Sequence, residues 1–70
     1  NPTQGSLSVE SGIQGVATIY TIDGKEVGKY NISANRTDVV LPSDMAAGVY
    51  MMRFKGDDGS TQLVRLVFKP

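Results

Sequence analysis

The residues of this chain that could do chemistry are few, and the types that most catalytic sites need are missing. The 70 residues include no His and no Cys. A Ser or Thr nucleophile therefore has no imidazole base, and no thiol nucleophile is available. Disulfides and zinc sites built from Cys and His are excluded for the same reason. The sequence predicts a domain that is not an enzyme, with no catalytic residue, metal site, cofactor or small-molecule substrate.

One acidic cluster could bind a cation. Residues 57–60 are Asp-Asp-Gly-Ser, and calcium prefers several carboxylate and carbonyl oxygens. No further acidic residues follow at the spacing that a calcium loop uses, whereas Asp and Gly are frequent in tight turns. We therefore expect a hairpin turn here rather than a calcium site.

Three tyrosines, Tyr20, Tyr30 and Tyr50, could line a sugar-binding surface. The chain has only two Phe beside them and no Trp, so packing within a sheet is the expected role of these rings. A carbohydrate site remains the alternative.

The basic residues are balanced by acidic ones. Seven Lys and Arg face seven Asp and Glu, which argues against a nucleic-acid partner, because phosphate binding needs a basic surface. Near the end of the chain, Lys55, Arg65 and Lys69 are expected to be solvated strand positions, with a docking stripe as the alternative.

The elements that must position these side chains are all strand-like. Alternating or β-branched runs occupy residues 6–10, 15–22, 25–32, 38–41, 49–54 and 62–68, and no segment keeps a helical period over three turns. Asp23-Gly24 indicates a hairpin with a type I′ turn, and Pro42 ends the fourth run. The pattern predicts one all-β domain over residues 1–70, an antiparallel immunoglobulin-like or fibronectin type III-like sandwich of six to seven strands.

A sandwich of this size depends on its apolar side chains, because a short chain buries a small share of its surface. The alternation of apolar and polar residues predicts which side chains face the space between the sheets. The predicted core is Leu7, Val9, Ala17, Ile19, Ile22, Val27, Val39, Leu41, Tyr50, Met52, Phe54, Leu66 and Phe68.

Four blocks follow one another along the chain. Residues 1–9 are Asn-Pro-Thr-Gln-Gly-Ser-Leu-Ser-Val, and residues 19–27 are Ile-Tyr-Thr-Ile-Asp-Gly-Lys-Glu-Val. Residues 41–50 end in Met-Ala-Ala-Gly-Val-Tyr, and residues 65–69 are Arg-Leu-Val-Phe-Lys. In order and spacing these blocks resemble the C-terminal sorting domains of the type IX secretion system, except that Met45 stands where that family usually has Leu.

The resemblance implies a sorting signal of secreted Bacteroidetes proteins. Such a domain travels with an N-terminal cargo domain through the periplasm, where an outer-membrane secretion translocon recognises it. In many members a sortase-like surface peptidase removes it, and the cargo is linked to an anionic lipopolysaccharide. The resemblance thus implies a secreted or cell-surface location, and we expect the chain to be part of a larger secreted protein.

The final strand is the expected contact for the translocon, because it is terminal and locally basic and could accept a partner strand. The candidate recognition residues are Arg65, Leu66, Val67, Phe68 and Lys69. The residues expected to maintain backbone geometry or packing are Gly24, Gly48, Val49 and Tyr50. The alternative is an immunoglobulin-like accessory module that binds carbohydrate or spaces domains in a secreted multidomain protein.

Overall fold

A computed structural model describes residues 6–42 and 44–68, and of Ser6 and Leu7 the backbone alone. These residues form six strands. The strands are β1 (Ser6–Ser11), β2 (Gly15–Thr21), β3 (Glu26–Ile32), β4 (Asn35–Val40), β5 (Gly48–Gly56) and β6 (Thr61–Phe68). Within the described ranges there is no helix that is long and apolar enough to cross a membrane.

The strands form two antiparallel sheets in a sandwich-like arrangement. The smaller sheet pairs β1 with β4, with Ser8 opposite Asp38. The larger sheet has the order β3-β2-β5-β6, with Ile19 of β2 opposite Met52 of β5. The all-β prediction is confirmed and six strands are found in the described ranges, while the specific likeness to immunoglobulin or fibronectin domains stays a prediction.

The core lies on the face of the larger sheet that β1 and β4 cover. Along β5, Tyr50, Met52 and Phe54 are buried whereas Arg53 and Lys55 are exposed, so the alternation of a half-buried strand is clear. The buried apolar set is Ala17, Ile19, Ile32, Val39, Leu41, Tyr50, Met52 and Phe54. Seven of these eight belong to the predicted core.

The remaining core predictions have three outcomes. Four predicted members are partly buried and pack against the cluster: Val9, Val27, Leu66 and Phe68. The prediction for Ile22 was wrong, because its side chain is 76% exposed. Ile32 is buried although the predicted core omitted it, and the side chain of Leu7 lies outside the described residues.

The β2–β3 hairpin explains why Ile22 is exposed. Gly24 N donates to Thr21 O at 3.0 Å, and Thr21 N donates to Lys25 O at 2.8 Å. Gly24 has φ 96°, but Asp23 does not have a positive φ. The type I′ prediction was therefore wrong: the loop has three residues, with the left-handed Gly24 last and Ile22 first.

The loop between β5 and β6 repeats this geometry. Gly59 N donates to Gly56 O at 3.0 Å, and Gly56 N donates to Ser60 O at 2.9 Å, while Gly59 has φ 89°. The predicted hairpin turn at residues 57–60 is thus present, and its loop residues are Asp57, Asp58 and Gly59.

Strand β4 begins three residues earlier than the predicted run, at Asn35. It does so because β1 supplies a partner along its whole length, from Ser11 opposite Asn35 to Ser6 opposite Val40. Side chains add to the pairing, since Ser8 Oγ donates to Asp38 Oδ1 at 2.8 Å. A polar segment with weak intrinsic strand preference is therefore drawn into the sheet by its neighbour.

Candidate recognition surface

The larger sheet has two edges of different character. At one edge, β3 carries the charged residues Glu26 and Lys29, and its register with β2 shifts between Ile19 and Tyr20. Charges and register irregularities are the devices by which proteins prevent an edge strand from pairing with another chain. The edge formed by β3 is therefore protected.

The opposite edge, formed by β6, lacks most of these devices. Within the described residues β6 pairs with β5 alone, without a register shift. Leu63, Val64 and Val67 are 65%, 36% and 58% exposed, and Arg65 is the one charged residue between Thr61 and Phe68. A long regular edge with exposed apolar side chains is suited to accepting a further strand.

The predicted recognition residues fall on both faces of β6. Arg65 and Val67 are exposed, opposite Met51 and Val49 of β5. Leu66 and Phe68 point the other way and pack, partly buried, against the core. The segment is thus attached to the domain by one face and presents the other, while Lys69 lies outside the described residues.

The structure brings the candidate recognition residues of β6 next to the predicted structural residues Gly48, Val49 and Tyr50. The antiparallel register of β5 and β6 joins them, although the facing residues are 16 to 20 positions apart along the chain. The facing pairs are Gly48–Phe68, Val49–Val67 and Tyr50–Leu66. Gly24 lies at the same end of the sheet, because its turn follows Thr21, which is opposite Tyr50.

Different structural constraints explain why residue 48 is Gly and residue 50 is Tyr. Gly48 has φ 152°, a backbone conformation that residues with a Cβ rarely adopt. The Tyr50 side chain is 7% exposed, and its hydroxyl donates to the Ala46 carbonyl at 2.5 Å. This bond ties the connection that precedes β5 to the core, so Tyr50 contributes both an apolar ring and a polar anchor.

Val49 is on the opposite face from Tyr50 and is 37% exposed.

Leu63 and Val64 were not among the predicted recognition residues, although they are exposed on the same edge strand as Arg65. The apolar residues of β6 follow the same pattern as those of an interior strand. The sheet order is what shows that, among the described strands, β6 has a neighbour on one side alone.

The three tyrosines do not form one surface. Tyr50 is buried in the core, and Tyr30 lies on the inner side of β3, where its ring packs over Gly28. Burial raises the pKa of the Tyr30 phenol. Tyr20 lies on the other side of the sheet and accepts a hydrogen bond from Arg53 at 3.1 Å. The rings therefore have separate packing roles.

The acidic turn at residues 57–60 is held by its own hydrogen bonds. Asp58 Oδ1 accepts from Ser60 Oγ at 2.7 Å and from Ser60 N at 2.9 Å. These bonds, the side-chain one first, lower the pKa of the Asp58 carboxyl. Across residues 6–42 and 44–68 no three acidic side chains are grouped as they would be to hold a metal ion.

Comparison with known proteins identifies the family. The family model described as secretion system C-terminal sorting domain matches residues 1–69 of the 70-residue chain. The chain belongs to this family. Neither a curated protein nor a solved structure shows significant similarity to it.

Membership of the sorting-domain family assigns the chain a role. It is a C-terminal sorting signal for type IX secretion, which interacts with the secretion machinery and directs export across the outer membrane. The family is a family of sorting signals rather than of enzymes. The resemblance stated from the sequence is therefore confirmed.

Proposed function

We propose that the outer-membrane translocon recognises this sorting domain through β6, by pairing one of its own strands with the free edge. The residues assigned to recognition are Arg65, Leu66, Val67 and Phe68, together with Lys69, which lies outside the described residues. In this proposal Leu66 and Phe68 hold the strand to the domain, while the backbone edge, Arg65 and Val67 meet the partner.

The observation that carries this proposal is the difference between the two sheet edges. The β3 edge is charged and irregular, whereas the β6 edge is regular and carries exposed Leu63 and Val67. In strand addition, main-chain hydrogen bonds supply affinity and alternate side chains supply specificity. Of the two edges of the larger sheet, the β6 edge has these properties, which supports it as the place where a partner strand pairs.

The wider pathway is part of the same proposal and is supported by the family alone. Residues 1–70 form one sorting domain that follows an N-terminal cargo domain. The pair crosses the periplasm, and the translocon exports it. A sortase-like surface peptidase then removes the domain and leaves the cargo anchored at the cell surface. Surface-attached cargo whose polypeptide lacks this 7.5 kDa domain is the expected result of peptide mass spectrometry.

The test of β6 recognition is an export assay with a matched control. Residues 1–70 are fused to a neutral cargo and expressed in a host that has type IX secretion. The double variant Leu63→Ser/Val67→Ser removes two exposed side chains from β6, and Ile22→Ser removes an exposed apolar side chain that belongs to the β2–β3 turn and not to β6. Because all three are more than half exposed, each variant is expected to keep the stability of the unaltered domain to within about 1 kcal/mol.

We expect the double variant to remain in the periplasm as an intact, folded fusion, while Ile22→Ser is exported like the unaltered domain. Export of the double variant at the normal rate would refute recognition through β6. Equal retention of both variants would show that any loss of surface hydrophobicity matters, and would refute it as well. Deletion of residues 67–70 is expected to reduce the exported fraction of the fusion by a larger proportion than it reduces the free energy of unfolding of the domain.

A further inference from the structure

The charges of this chain balance in total but not in space. The outer face of the larger sheet is the side turned away from β1 and β4; it includes Thr18, Lys29, Arg53, Lys55, Leu63 and Arg65. The register places them there, because Lys29 and Arg53 both lie opposite Thr18, Leu63 lies opposite Arg53, and Lys55 and Arg65 follow the same alternation. Four of the seven Lys and Arg of the chain are thus on one face.

Few acidic groups compensate these four bases. Glu26 lies opposite Tyr20 at one corner of the sheet. Within residues 6–42 and 44–68, the ion pair that forms joins Arg36 and Asp38 at 3.3 Å, on the smaller sheet. Neighbouring bases of the outer face repel one another across distances of about 7 to 10 Å, as strand spacing and rise dictate, which is near the screening length at physiological salt.

Three of the bases surround a shallow depression. Lys29, Arg53 and Lys55 line a hollow of about 330 Å³ whose floor is Thr18 and Val16. The Arg53 guanidinium lies 5.6 Å from the centre of the Tyr20 ring and donates to its hydroxyl at 3.1 Å. Stacking and one hydrogen bond hold this guanidinium in place, and its other donors stay available for a carboxylate.

We infer that the outer face is a docking site for an acidic protein surface, which shares Leu63 and Arg65 with β6 but goes beyond the proposed recognition of its strand edge. Charge complementarity identifies the partner, because three bases around one hollow fit carboxylates. The apolar side chains of this face favour a protein over a lipid bilayer. Val16 lies opposite Lys55, and Leu63 lies opposite Arg53, so apolar and basic side chains are interspersed on this face, whereas an element that lies in a membrane interface keeps its apolar face apart from its basic one.

The test is a binding titration followed residue by residue. The ¹⁵N-labelled chain is titrated with a synthetic peptide of alternating Glu and Val, and with its Gln-Val counterpart. We expect the Glu peptide to shift the backbone amide signals of Val16, Thr18 and Lys29 together with those of β5, and added salt to reverse the shifts. The Gln peptide is expected to leave them in place.

Two matched variants locate the site. Lys29→Gln/Lys55→Gln removes two charges from the outer face, and Lys25→Gln/Arg36→Gln removes two charges elsewhere. The first pair is expected to weaken binding of the Glu peptide about fivefold, the size of two exposed ion pairs, and the second pair to leave it unchanged. Amide spectra of both variants show that the fold is retained.

Three results would overturn the inference. Equal weakening by both variants would show an unspecific charge effect. Tighter binding to phosphatidylglycerol vesicles than to the Glu peptide, with the same residues affected, would show a lipid surface instead. Self-association of the chain through this face, seen by sedimentation and lost in Lys29→Gln/Lys55→Gln, would identify a second copy as the occupant. None of these results depends on whether β6 is read by the translocon.

Discussion

The hydroxyl of Tyr50 provides a direct measure of what the Gly-Val-Tyr block contributes to the fold. Tyr50→Phe keeps the buried ring and removes the 2.5 Å hydrogen bond to the Ala46 carbonyl. Ala46 is exposed, so water can replace the lost donor and no buried carbonyl is left unpaired. The expected loss is therefore the net value of one hydrogen bond, about 1 kcal/mol.

Tyr50→Ala removes the ring as well. Truncation of a buried aromatic side chain costs about 3 to 5 kcal/mol. A 70-residue domain has a total stability of about 4 to 10 kcal/mol, at the usual value per residue. We therefore expect Tyr50→Ala to lose about a third or more of the stability of the domain and Tyr50→Phe to stay folded.

Equilibrium urea unfolding followed by circular dichroism measures these differences. With a slope near 1 kcal/mol per molar urea, Tyr50→Phe is expected to lower the unfolding midpoint by about 1 M. Tyr20→Phe is the matched control, since its hydroxyl accepts a hydrogen bond from Arg53 on the exposed face, and its shift is expected to be less than half as large. A Tyr50→Phe midpoint equal to that of the unaltered chain would refute the anchoring role of the hydroxyl.

Two further predictions concern backbone packing and pH. Gly15→Ala places a Cβ against the backbone carbonyl oxygen of Lys55 and 2.8 Å from Phe54 Cζ and should cost about 2 kcal/mol by urea unfolding, whereas Gly12→Ala meets nothing within 4 Å and should be nearly neutral. The Ser8 hydroxyl and then Arg36 lower the pKa of Asp38, so its contribution is present above the unfolded pKa of about 3.9 and is lost as pH falls through the lower folded value. Asp38→Asn should flatten the fall in urea midpoint below pH 5, and an unchanged slope would contradict this assignment.

Much of the fold follows from the sequence because apolar alternation and turn residues are local signals. Tyr50, Met52 and Phe54 alternate with charged or flexible residues, which fixes the buried face of β5 without knowledge of its neighbours. The wrong predictions arise where a difference of one residue in loop length changes the local geometry. Ile22 looks like the end of a strand, but a three-residue loop places it in solvent, and loop length is not specified by Asp-Gly alone.

The candidate site was less accessible from the sequence than the fold. Sheet order determines which strand is an edge, and it depends on the long-range pairing of β2 with β5, for which the sequence has no local signal. The same pairing places Lys29 and Arg53 on either side of Thr18. A count of seven bases against seven acids conceals this separation, because composition carries no information about which face a side chain occupies.

The edge position of β6 also has a consequence for local opening. Detaching β6 from β5 breaks one ladder and exposes Leu66 and Phe68, but it leaves the ladder between β2 and β5 and the buried Ile19 undisturbed. The amides of β6 should therefore exchange with solvent at a lower free-energy cost than those of the two central strands. A partner that binds β6 in its detached form has to offset the free energy of opening one strand. It does not have to offset the free energy of unfolding the whole domain.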